Sequence, residues 1–260
     1  MGYRTVLVSD DMQRASLLKR ISALILDFII LTILSTFFIF LISFITKYDS
    51  YNTHLNECYS KYEKQYGVEF SISSDEYYGY SEEDRALYDE AYNALINDED
   101  TILTYQKVVN LSLLSVSLGV FFAFIIAEFI IPIFFKNGVT IGKKVFSLCL
   151  MRRGGWRVNN TSLFIRAILG KYTIETMVPL LILMMVFFSS IGIVGPIVIG
   201  GIILINLILI FATKDHLAIH DLLADTVVVD YMSQYIYETE EDVIERKKEL
   251  AKEKAEKSLY

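Results

Sequence analysis

The sequence predicts an all-α membrane protein built on four transmembrane helices, and three observations predict it. Apolar residues fill 53% of the 260 positions, with a mean hydropathy of +0.42, which is above the range of soluble chains. Charged residues, 21% of the chain, are nearly excluded from three long apolar runs and gather between them. The last of those runs, from about Thr173 to Ala212, is twice the length that one helix needs to cross a hydrocarbon core of about 30 Å.

The elements follow in order. Residues 1–19 carry Arg4, Arg14 and Lys19 but neither a short apolar core nor a small-residue cleavage site, and the first span, 20–45, is too long for a secretory signal. That span is expected to be retained. Residues 46–107 form an acidic insertion with helical signals of its own. Tyr51 to Tyr66 reads as one helix ended by Gly67, Val68 to Ile72 as a short strand, and Ser81-Glu-Glu-Asp84 as the capped start of a helix to about Asn97. Its recurring tyrosines suit a thin core or a partner surface. The Asp98-Glu-Asp100 run attracts cations but lacks the spaced oxygens and glycine of a calcium loop.

The second span covers 108–135, a basic loop 136–172, and the third and fourth spans 173–191 and 196–213, split by a turn at Gly192, Gly195 and Pro196. In the basic loop, Phe146 to Val158 reads as a small hairpin turning at Arg152 to Gly155. An amphipathic interfacial helix follows, capped by Asn160 or Thr161, with Leu163, Phe164, Ala167 and Ile168 facing the apolar side and Arg166 and Lys171 near headgroups. Thr140 caps a short helix carrying Lys143 and Lys144, for which lipid phosphate is the expected ligand. An interfacial segment at 214–232 and a charged helical tail at 233–260 complete the chain.

Lysine and arginine set the orientation. The segment from Lys136 to Lys171 holds eight basic residues and no Asp or Glu, so it is expected on the cytoplasmic side with both termini, and 46–107 outside. This makes the chain a multi-pass plasma-membrane protein, with anionic headgroups as partners of the inner loop. The charge asymmetry reflects topology and does not indicate nucleic-acid binding. The two cysteines, Cys58 and Cys149, fall on opposite sides and cannot pair within one chain.

Polar residues within the spans are the candidate site. Asp27 lies deep in the first apolar run, and an aspartate at a helix centre costs roughly 2.5 to 3.5 kcal/mol unless it faces a bundle, a cation or water. Arg20, seven residues earlier, shares its face at about 10 Å. Glu128 and Asn206 fall at similar depth, so Asp27, Glu128 and Asn206 define one polar layer. Pro132, four residues after Glu128, predicts a kink there. Glu175 is shallower, within reach of Arg20, Arg166 or Lys171, and Asp221 is expected to pair with Lys143 or Arg166. The layer reads either as interhelical hydrogen bonding or as a proton, ion or substrate site.

Other chemistry finds little support. His216 and His220 stand one turn apart with no evident third ligand, so no metal is expected, and His220 is read as a proton relay or an interfacial histidine. The Gly138 to Lys144 segment has the wrong glycine spacing for a phosphate loop. With no nucleophile, zinc cluster or cofactor motif, the expectation is a non-enzymatic protein without a cofactor.

The segments Leu18-Lys-Arg20-Ile-Ser-Ala-Leu-Ile-Leu-Asp27, Thr140-Ile-Gly142-Lys143, Arg166 before Leu169-Gly170, and His220-Asp221-Leu-Leu-Ala-Asp-Thr226-Val together resemble the RDD family of bacterial membrane proteins. The family is named for one arginine and two aspartates, matched here by Arg20, Asp27 and Asp221. The resemblance implies a membrane core over about 14–45 and 108–230, and either transport of ions or small ligands or regulatory association with another membrane protein. The acidic insertion and charged tail depart from a minimal member. On the transport expectation, Asp27, Arg20, Glu128 and Asn206 form the site, while Glu175, Arg166, Lys143, His220 and Asp221 form the inner gate or its scaffold. A homo-oligomer is expected to complete the path.

Overall fold

The structure, a computed structural model, describes residues 15–187, 192–232 and 234–257. The N-terminal basic segment through Arg14, the first part of the turn between the third and fourth spans, Ser233 and the end of the predicted tail lie outside the described residues. Among the described residues four helices are long and apolar enough to cross a membrane: α1 (Leu17–Ile45), α5 (Glu99–Phe135), α7 (Asn160–Val186) and α8 (Val194–Ala212). Their large apolar side chains, such as Phe28, Phe40, Phe44, Ile203 and Phe211, are mostly exposed on the protein, as lipid-facing side chains must be.

The chain divides into two compact units, Ser35–Val120 and the segments on either side of it. The first contains α2 (Tyr48–Tyr66), α3 (Ser74–Gly79) and α4 (Glu82–Asn97). Gly67 ends α2 with φ +68°, where a side chain would be strained, and its N–H donates to the Glu63 carbonyl. Ser81 accepts from the Asp84 N–H at the start of α4, and Ser73 and Glu76 form a reciprocal capping box on α3. The Val68 to Ile72 segment is irregular rather than a strand. Phe70 explains why: it packs edge-on against Tyr59, Tyr88 and Tyr92, and its N–H is taken by the Glu63 carboxylate, so no sheet partner is needed. On α2 and α4 of the same unit Leu55, Cys58, Tyr62, Ala91 and Leu95 are buried. In the same unit α1 and α5 touch where a Cβ on Gly119 would lie 2.5 Å from Ile39 Cγ1.

The other unit joins the remaining parts of α1 and α5 to α6 (Ile141–Val145), β1 (Leu148–Arg152), α7, α8, α9 (Ile219–Ala224), β2 (Thr226–Asp230) and α10 (Glu240–Lys257). The first half of the expected Phe146 to Val158 hairpin forms a strand, β1, but the ladder partner of that strand is not the return after Gly155. β1 pairs antiparallel with β2 from Leu148↔Asp230 to Arg152↔Thr226. The return after Gly155 is drawn away by the chain near α10, with the Arg157 N–H on the Tyr237 carbonyl (2.8 Å) and the Tyr237 N–H on the Gly155 carbonyl (3.2 Å). β2 reads Thr-Val-Val-Val-Asp, β-branched and almost wholly buried, and is the better strand former. Alternation splits the ladder between two clusters. Leu148, Leu150 and Val228 join Ala15, Ala23, Val158 and Leu163, while Cys149, Met151, Val227 and Val229 join Val139 and Leu217. Both cysteines are free.

Two spans contain wide turns with i→i+5 hydrogen bonding. In α5 these cover Ile125–Ile130, ending at the Ile131 N–H on the Ile126 carbonyl, where Pro132 was expected to disturb the helix beside Glu128. In α7 they cover Ile165–Met177. α7 starts under an Asn159 cap and runs unbroken into the third span, so the segment expected to lie as a separate interfacial helix is the beginning of that span.

Candidate functional site

Each polar residue singled out in the spans has a protein partner, and the partners come largely from the connecting segments. Asp27 accepts from the Thr140 hydroxyl (2.5 Å) and from the Gly142 N–H (2.7 Å) at the first turn of α6. The approach is close: a Cβ on Gly142 would lie 2.2 Å from the Ala23 carbonyl and 2.8 Å from the Asp27 carboxyl carbon. Glycine is therefore required for the N–H to reach the acid.

The Thr140 hydroxyl also accepts from the Lys143 ammonium (3.1 Å) and the Lys143 N–H (3.3 Å). Lys143, expected at lipid phosphate or on Asp221, is instead only 6% exposed. Burial, reinforced by the Lys171 charge, pushes its ammonium down to about 7, against the opposing pull of Glu128 and Asp27. Glu128, brought inward by the wide turn of α5, pairs with Lys171 of α7 at 2.5 Å. Lys171 thus points into the bundle rather than to headgroups. Asp27, Thr140, Lys143, Glu128 and Lys171 form one electrostatic group.

A second group surrounds Asp221. Arg166, 4% exposed and not at the headgroups, donates from Nε (3.0 Å) and Nη2 (2.8 Å) to one Asp221 oxygen. The other oxygen accepts from the Ala218 N–H, capping α9, and lies 3.6 Å from Arg20 Nη2. Burial favours the neutral acid, but Arg166, then His220 and Arg20, outweigh it and hold the carboxyl well below the usual range. Arg20 also donates to the Asp215 carbonyl at 3.1 Å. It therefore serves Asp221 and not Asp27, because seven residues of helix place the two groups about 10 Å apart while Asp221 is within contact. Of the two partners expected for Asp221, Arg166 is the one found.

Glu175 takes none of its expected cationic partners. It accepts from the His220 N–H (3.1 Å) and faces His220 Nδ1 at 2.8 Å. This contact makes Nδ1 a donor; burial lowers the pKa of the ring. Gly170 lets α7 and α9 meet, since a Cβ there would lie 2.5 Å from the His220 Cβ. Asn206 accepts from the Ile219 N–H (2.9 Å), so it anchors the start of α9 rather than joining Asp27 and Glu128 in one ligand layer.

Sequence reasoning did not anticipate the Thr140 and Gly142 contacts to Asp27 or the Lys171 contact to Glu128. The resemblance motif Thr140-Ile-Gly142-Lys143 was the available signal for the first. Nothing local announces the second, since residues 128 and 171 are joined only by packing.

Four apolar spanning helices whose buried charges are paired with one another or with short connecting segments define a polytopic integral membrane protein with an ion-paired polar core. The RDD family profile matches residues 14–225, most of the chain, and the protein belongs to the RDD family. No curated protein and no solved structure matches it.

Proposed function

We propose that this RDD-family membrane protein is a non-enzymatic carrier of protons or small cations through the polar group of Asp27, Thr140, Lys143, Glu128 and Lys171, set on the cytoplasmic side of a plasma membrane with both termini inside. The observation that carries this reading is Lys143, buried, hydrogen-bonded to the Thr140 hydroxyl that serves Asp27, and within electrostatic reach of the Glu128–Lys171 pair. A lysine held near 7 exchanges its proton at physiological pH. When it loses that proton the local charge falls by one, and Asp27 and Glu128 then favour a monovalent cation. Return of the proton expels it. The six basic residues between the second and third spans, Lys136, Lys143, Lys144, Arg152, Arg153 and Arg157, with no Asp or Glu among them, support the orientation. In this scheme Arg20, Arg166, Glu175, His220 and Asp221 hold α9 as the inner closure, Asn206 fastens its first turn, anionic lipid surrounds the basic loop, and a homo-oligomer completes the path.

A second reading has its own observation. Every intramembrane carboxylate already has a protein partner, as expected of a scaffold, and the Ser35–Val120 unit then serves to engage another membrane protein. The test is cation-driven proton flux in proteoliposomes, comparing wild type with folded Asp27→Asn, Glu128→Gln and Lys143→Met. Transport predicts wild-type flux that each variant reduces at least ten-fold. Absence of flux from folded wild type across the monovalent cations refutes the carrier reading in favour of the accessory one.

A further inference from the structure

We infer that His54, Cys58 and Asp100, in the Ser35–Val120 unit, form a binding site for a zinc-type divalent cation. His54 and Cys58 are four residues apart on α2 and so project from one face one turn apart. Asp100, in the first turn of α5, faces both: its Oδ2 lies 3.0 Å from His54 Nε2 and 3.8 Å from Cys58 Sγ. One ligand atom from each of the three residues falls within 4.8 Å of the others. Bonds of about 2.3 Å to sulfur and about 2.0 to 2.2 Å to nitrogen or oxygen put the ligand atoms of a tetrahedral zinc centre roughly 3.3 to 3.6 Å apart. The cluster is within a small side-chain adjustment of that geometry.

The donor set selects the metal class. Imidazole, thiolate and carboxylate together suit borderline-soft Zn²⁺ and disfavour Ca²⁺ or Mg²⁺, which take oxygen. The surroundings agree. Without metal the His54 Nε2 proton is donated to Asp100 at 3.0 Å; metal binding moves that proton to Nδ1, on the side where the Glu57 carboxylate lies 3.6 Å away and favours it electrostatically. Asp98 is occupied elsewhere, accepting from the Thr101 N–H and hydroxyl, and thereby sets the turn that aims Asp100. An open depression lined by Asp49, Ser50, Thr53, His54 and Glu57 borders the cluster at its His54 edge. Binding converts the buried Cys58 thiol to a metal-bound thiolate and releases its proton to solvent. Three protein donors leave a fourth position for water, the arrangement of an exchangeable site rather than a closed structural one. The inference is independent of the transport reading.

The test uses the full chain, purified through a histidine-free tag and titrated with Co²⁺ as the spectroscopic probe. The expected result is one Co²⁺ per chain, with tetrahedral d–d bands and a near-ultraviolet sulfur-to-metal charge-transfer band, both displaced by Zn²⁺. The chain has two cysteines, so loss of the charge-transfer band in Cys58→Ser assigns the sulfur. His54→Ala and Asp100→Asn each weaken Co²⁺ affinity at least ten-fold. Circular dichroism confirms that each variant retains its helices. Absence of saturable binding, a band that survives Cys58→Ser, or affinity unchanged in both His54→Ala and Asp100→Asn overturns the site and leaves a surface His–Asp pair beside a packing cysteine.

Discussion

Replacing Asp221 with asparagine isolates the charge that holds α9 against α7. Asp221 has no exposed surface, and its carboxylate neutralises Arg166, itself 4% exposed, through two hydrogen bonds at 3.0 and 2.8 Å, with Arg20 at 3.6 Å. Asparagine keeps the shape and can still accept from the Ala218 N–H, but it leaves two guanidinium groups in a desolvated site without a counter-ion. Breaking a buried pair from one side costs about 3 to 5 kcal/mol. Arg166→Met is expected to cost less, because Arg20 remains to serve the acid. In the double variant one buried cation has gone with the anion, so its loss should fall short of the sum of the singles by about 2 kcal/mol. Reversible unfolding in mixed micelles, followed by helical circular dichroism and Trp156 fluorescence, measures all four proteins. The acid's folded pKa lies below its unfolded value, so its contribution is present above about pH 4 and fades as pH falls further. A loss below about 1 kcal/mol for Asp221→Asn, or singles that add within about 0.5 kcal/mol, refutes the reasoning.

Four other outcomes follow from the same geometry. Gly142→Ala forces the α6 turn off α1 and should destabilise by about 1 to 3 kcal/mol, seen as a lower Tm; an unchanged Tm contradicts the Asp27 contact. Gly170→Ala should do the same where α7 meets α9, since its Cβ would meet the His220 Cβ and Cα at 2.5 and 2.7 Å. Lys143, held at about 7 in the fold, binds its proton less tightly than when unfolded. Wild-type stability should therefore rise from about pH 7 towards pH 10, a rise that pH-resolved unfolding should find missing in Lys143→Met. The Cys149 thiol, buried on one face of the β1–β2 sheet and pushed up to about 12 chiefly by that burial, should resist maleimide in the folded protein and react after denaturation, as mass spectrometry would record.

Elements governed by local chemistry were readable. The four spans, the Gly67 stop of α2, and the Ser81 and Thr140 caps all follow from hydropathy, glycine or hydroxyl at defined offsets. The hairpin failed for a non-local reason. Residues 148–152 had two candidate partners, and the one 74 or more residues away is more β-branched and more deeply buried. The interfacial helix failed because an amphipathic stripe with two cations looks the same whether the cations meet headgroups or buried carboxylates.

By itself the sequence determined that this chain is a four-span membrane protein of the RDD type, and which acidic residues of the spans must be shielded from lipid, because the cost of charge in hydrocarbon depends on the residue and its depth. Only the tertiary structure decided who shields whom: Thr140 and Gly142 on Asp27, Lys171 on Glu128, Arg166 and Arg20 on Asp221, His220 on Glu175. Pairing energy falls steeply with distance, and those distances are set by how the connecting segments fold back onto the helices, which no periodicity along the chain records.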